Sequence, residues 1–173
     1  YEAFAKTVKG TPKWWDITVT PIIGVDGKPA QILVISRDVT ERKLAAALLA
    51  AQNRTLELVA SGRPLSEVLT LLAEIVEEQA GGKAIASVFL VDREKKCLRV
   101  GASPSLPAEF NAAVDGIAVT QGLGTCADAA ARNEVVLTTD IAKSAGWEGL
   151  AHLPQGLGLV AAWSHPIVGS KGE

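Results

Sequence analysis

Cysteine and histidine are scarce in this 173-residue chain, with two of each, and the shortage removes whole classes of chemistry. Cys97 and Cys126 are too few and too far apart for a disulfide framework or a cysteine-only metal site, and they suit a reducing compartment. His152 and His165 show neither HxxxH nor Cys-His spacing, so no preformed metal site is expected. There is no GxSxG elbow, and the adjacent carboxylates Glu77 and Glu78 are expected on a solvated helix face, which leaves catalysis unsupported. Long apolar runs are missing too. The strongest, residues 44–51 and 157–163, fall well short of the roughly 18 residues of a membrane span, and no basic-then-apolar leader opens the chain. A net charge of −2 without a clustered basic excess offers nucleic acid no face to bind. With 48% hydrophobic and 21% charged residues, the expectation is a soluble, cytoplasmic chain that builds a core and has no direct contact with membrane.

What the sequence does contain is a change of periodicity. Trp15, Ile17 and Val19 alternate with Asp16, Thr18 and Thr20, and residues 31–35 are rich in β-branched side chains after the turn Asp26-Gly27-Lys28-Pro29. That pattern predicts an antiparallel hairpin over 4–37, in which the neighbours Trp14 and Trp15 face opposite sides. At Asp38-Val39-Thr40-Glu41 the period becomes helical, with Asp38 or Thr40 as cap, and an alanine- and leucine-rich helix is predicted over 41–60. One seam at coiled-coil spacing is Leu44, Leu48, Ala51, Thr55 and Leu58. A second, offset by one, is Ala45, Leu49, Gln52, Leu56 and Val59. Two such stripes suit a parallel dimer helix that rotates between registers.

Gly62-Arg63-Pro64 breaks this helix, and Leu65, Val68, Leu69, Leu72, Ile75 and Val76 mark an amphipathic helix over 65–79. Strands are then predicted over 85–91 and 97–102, a loop-helix excursion over 104–115, and a short helix from Thr125 or Cys126 to Asn133. A strand over 135–138, a long strand over 157–168 and a hairpin-like turn over 169–173 complete the chain. The fold class is α+β, with antiparallel sheet flanked by helices.

Three features bear on chemistry. Gly122-Leu123-Gly124 lacks the third glycine of a dinucleotide fingerprint and the lysine of a P-loop, and reads as a tight turn into a helix. Cys126 falls where a helix N-terminus would lower its thiol pKa, which makes it a redox or attachment candidate against the alternative of an inert buried thiol. Trp147 and Trp163 either line a small-molecule cavity or pack the core.

Lys9-Gly10-Thr11-Pro12-Lys13-Trp14-Trp15 and the strand after it, the turn at Asp26-Gly27, and the closing Ser36-Arg37-Asp38-Val39-Thr40-Glu41-Arg42-Lys43 together resemble the C-terminal strands of a PAS domain. Asp38-Val39-Thr40-Glu41-Arg42 is the specific part. The resemblance covers the last third to half of such a domain, and implies that Asp38 couples the last strand to the exit helix through an ion pair with Arg42. From about Leu56 the chain resembles a GAF domain. The matching blocks are Ala86-Ser87-Val88-Phe89-Leu90-Val91-Asp92, Ala102-Ser103-Pro104 through Asn111, Gly122-Leu123-Gly124-Thr125-Cys126, Thr139-Asp140-Ile141-Ala142 and Ala162-Trp163-Ser164-His165-Pro166-Ile167.

The resemblance implies a layout: residues 1–43 as the end of a PAS domain, 44–61 as a connecting signalling helix, and 62–173 as a GAF domain lacking its final strand and helix. Bilin-binding members carry a cysteine next to a histidine, whereas Ala127 follows Cys126. No Asn-Lys-Phe-Asp-Glu signature or heme motif is evident, so cofactor and ligand stay open. The implied role is a non-catalytic sensor and dimerisation segment of a bacterial sensor histidine kinase or cyclic-di-GMP enzyme. It would work as a parallel homodimer that passes a small-molecule or redox signal to a downstream catalytic domain. Cys126, Trp147, Trp163 and His165 are the pocket candidates, and Asp38 and Arg42 the coupling residues. Two alternatives remain: a GAF-fold reductase of free methionine sulfoxide, in which Cys97 would have to assist Cys126, and a ligand-free structural dimerisation module.

Overall fold

The computed structural model describes residues 1–169; residues 170–173, which hold most of the turn expected over 169–173, lie outside the described residues. The fold is α+β and divides into two compact units, 1–60 and 61–173.

In the first unit β1 (Glu2–Lys6), β2 (Pro12–Ile23) and β3 (Pro29–Asp38) form an antiparallel sheet in the order β1-β2-β3. The predicted hairpin is β2–β3, closed where Gly24 N–H donates to Lys28 O at 2.8 Å and Lys28 N–H donates to the Asp26 carboxylate at 3.1 Å. The edge strand β1 falls partly in the stretch read as strand-like from residue 4; its existence as a third strand paired with β2 is the addition to the sequence reading. Its Glu-Ala-Phe-Ala-Lys carries no β-branched residue, and it is held by pairing with β2, where Phe4 lies opposite Trp14 with ring centroids 5.3 Å apart. Trp15, Ile17 and Val19 share the opposite face with Val34, across from Val19. The buried Val39 makes the corner: its N–H donates to Trp14 O at 2.9 Å and its carbonyl accepts from Lys43 N–H at 3.0 Å. From there α1 (Thr40–Ala60) runs five turns and more without one buried residue.

The second unit starts with α2 (Leu65–Gln79), which buries Val68 of the predicted stripe together with Leu71 and Ala73, whereas Leu65, Leu72 and Val76 of that stripe stay exposed, so the buried face is rotated from the one the spacing indicated. It lies on β5 (Cys97–Ala102), which pairs antiparallel with β4 (Val88–Asp92). The close approach depends on Gly101, because a Cβ there would sit 3.0 Å from Leu69 Cδ1 and 3.1 Å from both Leu90 Cγ and Val88 O. The other edge of β5 is lined by 117–119: Leu98 N–H donates to Ile117 O at 2.8 Å and Val119 N–H to Lys96 O at 2.9 Å. Between them α3 (Ala108–Val114) packs on β5, and Asp115 anchors the exit by accepting from Val100 N–H at 2.9 Å and Arg99 at 2.8 Å.

The remaining elements are α4 (Gly124–Arg132), β6 (Val136–Thr138), two 3₁₀ turns (Ile141–Lys143 and Ala145–Trp147), α5 (His152–Gly156) and β7 (Ala162–Ser164), with β6 and β7 antiparallel and α4 against both. Here the sequence reading needs correction. The long strand expected over 157–168 shrinks to Ala162–Ser164. Leu157 and Leu159 both donate backbone N–H groups to Pro154 O at 3.0 Å, and Gly158 adopts φ +73°, so this stretch is the closing turn of α5. The strand expected from 85 likewise begins at Val88.

Candidate functional site

The first candidate site is the junction where sheet becomes helix. Asp38, the last residue of β3, accepts the Thr40 N–H at 3.0 Å and the Thr40 hydroxyl at 2.7 Å on Oδ1, while Oδ2 ion-pairs with Lys13 of β2. Thr40 Oγ1 in turn accepts the Trp14 N–H at 2.9 Å. One carboxylate thus satisfies an orphan donor at the helix start and ties that start to the central strand. Lys13 first, then the two Thr40 donors, hold the Asp38 carboxyl at about 2.

The ion pair expected between Asp38 and Arg42 is not formed. Arg42 Nη2 instead meets Glu2 Oε1 of β1 at 2.5 Å, and Lys43 pairs with Glu2 Oε2. Lys43 Nζ also lies 5.2 Å from the centroid of the Trp14 ring. The reason is geometric: Asp38 already has Lys13 and Thr40, whereas the pairing of β1 with β2 brings Glu2 to both cations. Lys43 and then Arg42 lower the Glu2 pKa. Lys13, Glu2 and Lys43 are functional candidates that the sequence reading missed: Glu2 and Lys43 because their pairing depends on β1, and Lys13 because its ion pair with Asp38 depends on the register of β2 against β3.

The second candidate site lies where α4 meets β6 and β7. Register places Ser164 opposite Val136 and Ala162 opposite Thr138, with Trp163 and Leu137 on the other face. Ser164 Oγ donates to Oγ1 of the buried Thr125 at 2.9 Å and lies 3.2 Å from Cys126 Sγ. Since the one Ser164 proton goes to Thr125, Cys126 S–H is the donor in the second contact. Burial raises the Cys126 thiol pKa and outweighs the opposing hydrogen bonds from Ser164 and Thr125. This corrects the expected lowering: a first-turn position does not offset desolvation in a short helix packed against sheet.

Trp147 is buried and donates its indole N–H to Thr138 Oγ1 at 3.3 Å. Its ring lies against Gly124, whose φ of +73° and 3.9 Å clearance from the ring to a would-be Cβ suit glycine at the start of α4. Beside it an open depression of about 290 Å³ is bordered by Lys143, Ser144, Trp147, Glu148 and Ala151. In the preceding turn Gly122 N–H donates to the Asp128 carboxylate at 2.7 Å. An anion already occupies the donor a phosphate would need, in keeping with the tight-turn reading.

Of the four pocket candidates, Cys126 and Trp147 thus join a cluster with Thr125, Thr138 and Ser164. Trp163 is 61% exposed on the outer face, and the exposed His165 hydrogen-bonds through Nδ1 to Pro166 O at 2.8 Å. Cys97 is buried in β5, on a different sheet from Ser164. Glu77, expected to be solvated, instead accepts Ala86 N–H at 2.9 Å and Ser105 O–H at 2.6 Å, pinning the loops on either side of β4 and β5 to α2.

Known proteins agree with this architecture. Residues 62–173 match the GAF domain family and residues 2–44 match the PAS fold. The Methyl sulfide methyltransferase-associated sensor of Methanosarcina acetivorans is 42% identical over 136 residues, which is 79% of this chain but 14% of that protein's length. No solved structure matches the chain significantly. Among the described residues, no helix is long and apolar enough to cross a membrane. The two-sheet unit around α4, matched over its whole length, places the chain in the GAF domain family, as a sensor-type segment preceded by the end of a PAS fold.

Proposed function

We propose that the chain is the regulatory and dimerisation segment of a larger cytoplasmic signalling protein, a sensor histidine kinase or a cyclic-di-GMP enzyme, with no chemistry of its own. The observation that carries this reading is α1. It is anchored at its base by two carboxylates, Asp38 and Glu2, yet buries no side chain and exposes Leu44, Leu48, Leu49, Leu56 and Val59. A helix rigidly set at one end, with one apolar stripe exposed along its length, is built to transmit a rotation through a partner helix. The mechanism is a population shift between two helix packings, biased by a small-molecule or redox signal in the GAF unit, with output in a downstream catalytic domain. The name of the similar sensor supports the signalling role.

A second reading, the ligand-free dimerisation module, draws support from the openness of the depression beside Trp147. The reductase reading draws less, since the Cys126 thiol is raised by burial and Cys97 lies on another sheet. Native mass spectrometry of the full-length protein separates these readings. A dimer with extra mass lost on denaturation supports the sensor, a bare dimer supports the passive module, and a bare monomer refutes dimerisation. Methionine sulfoxide turnover that disappears with Cys126→Ser would restore the enzyme.

A further inference from the structure

The two apolar stripes of α1 differ in exposure and in charge: Ala51, Thr55 and Leu58 of the first are half-buried, whereas Ala45, Leu49, Gln52, Leu56 and Val59 of the second are all exposed. Extended one step toward the helix start at the same spacing, the Leu44-Leu48-Ala51-Thr55-Leu58 seam begins at Glu41, and the Ala45-Leu49-Gln52-Leu56-Val59 seam begins at Arg42. In a parallel in-register pair each seam residue faces its own copy. The first seam therefore sets the exposed Glu41 against a second Glu41, and puts Arg54 on its flank opposite the other chain's apolar Val59. The second seam sets Arg42 against Arg42, but here each guanidinium has a carboxylate at 2.5 Å, that of Glu2, which it shares with Lys43. It also turns Arg54 to the outer side, leaving Ala46, Leu48, Asn53 and Thr55 as uncharged flanks along the helix, with Glu41 the one charged flank, at the helix start.

Polar seam residues differ in the same sense. Thr55 spends its hydroxyl within its own helix, donating to Ala51 O at 3.0 Å. Gln52 carries an amide at the middle of the second seam, where a like amide from another chain answers it in register alone. We infer that the occupant of this face is a second copy of the chain, paired in parallel through the fully exposed stripe of Leu49, Gln52, Leu56 and Val59, and that Glu2, shared between Arg42 and Lys43, eases the like-charge contact at Arg42. The inference rests on the dimeric sensor reading and adds to it which of the two packings is the resting one.

Disulfide trapping in the full-length protein tests it, with single substitutions Leu44→Cys, Leu48→Cys, Leu49→Cys and Leu56→Cys under mild oxidation. The unsubstituted protein gives the background from its native thiols. Facing cysteines in a parallel seam come within bonding reach of about 4.4–6.8 Å between Cα atoms. The expected result is covalent dimer from Leu49→Cys and Leu56→Cys, with Leu44→Cys and Leu48→Cys at background. Trapping at 44 and 48, or equal trapping at all four, overturns the register and leaves the dimer standing. No trapping, together with a monomer by light scattering, overturns both.

Discussion

Gly101→Ala is the substitution whose cost the geometry states most directly. The added methyl would lie 3.0 Å from Leu69 Cδ1, 3.1 Å from Leu90 Cγ and 3.1 Å from Val88 O. All three are closer than ordinary van der Waals contact, and the last is backbone that β4–β5 pairing holds in place. Overpacking of this kind costs about 1–3 kcal/mol. For the unit spanning 61–173, an unfolding entropy of about 2.1 cal/mol/K per residue gives roughly 0.24 kcal/mol per degree, so a mid-range cost of about 2 kcal/mol lowers Tm by about 8 °C. Circular dichroism melts of wild type, Gly101→Ala, Leu69→Ala and the double variant make a cycle. Truncating Leu69 relieves the clash on one side, so the double variant should be more stable than the sum of the single losses predicts. An unchanged Tm for Gly101→Ala, or strict additivity in the cycle, would refute the claim that α2 is seated on β5 by this missing side chain.

Three further outcomes follow from the sites. The Asp38 carboxyl should titrate near pH 2 by carbon-detected NMR, and a midpoint near 4 would show the Lys13 and Thr40 contacts to be absent in solution. Because its folded pKa is depressed, its contribution to stability is present above the ordinary carboxylate pKa of about 3.9 and is lost as pH falls toward 2. Cys126 should react with iodoacetamide at pH 8 far more slowly than a free thiol until the unit unfolds, and alkylation at the free-thiol rate would contradict its burial. As the thiol pKa is raised by folding, stability should decline as pH rises past about 8.5. Trp147→Phe removes the donor to Thr138 and should cost about 1 kcal/mol, readable as a lower urea midpoint.

Much of the architecture was legible because periodicity reports burial. The helix α2 and the strand β5 lie at the predicted bounds, and the change at Asp38-Val39-Thr40 marks the start of α1, although the buried face of α2 takes in Leu71 and Ala73 in place of Leu65, Leu72 and Val76. Elements set by long-range pairing were not legible. β1 reads in sequence only as the opening of one hairpin and its pairing with β2 is long-range, so the partner of Arg42 could not be read from its neighbours in sequence. Residues 157–159 look strand-like in composition, but glycine and proline around them permit the turn that closes α5. In the GAF unit, Cys126 and Trp147 stood out by residue type. Thr125, Thr138 and Ser164 did not, since a lone hydroxyl becomes informative only when register puts it beside another. Trp163 shared the aromatic signal of Trp147 and went to the opposite face, a distinction that depends on which of two adjacent strand positions meets α4.

That opposition makes the two indoles of the GAF unit separate optical reporters. Trp163, open to solvent beside Leu137, is accessible to iodide, while Trp147, sealed between Gly124 and Thr138, is shielded and emits at shorter wavelength. Anything that settles on the outer face of β6 and β7 will suppress quenching without shifting the blue component. A change transmitted through α4 will do the reverse, so one fluorescence titration distinguishes an event on the surface of this unit from one in its interior.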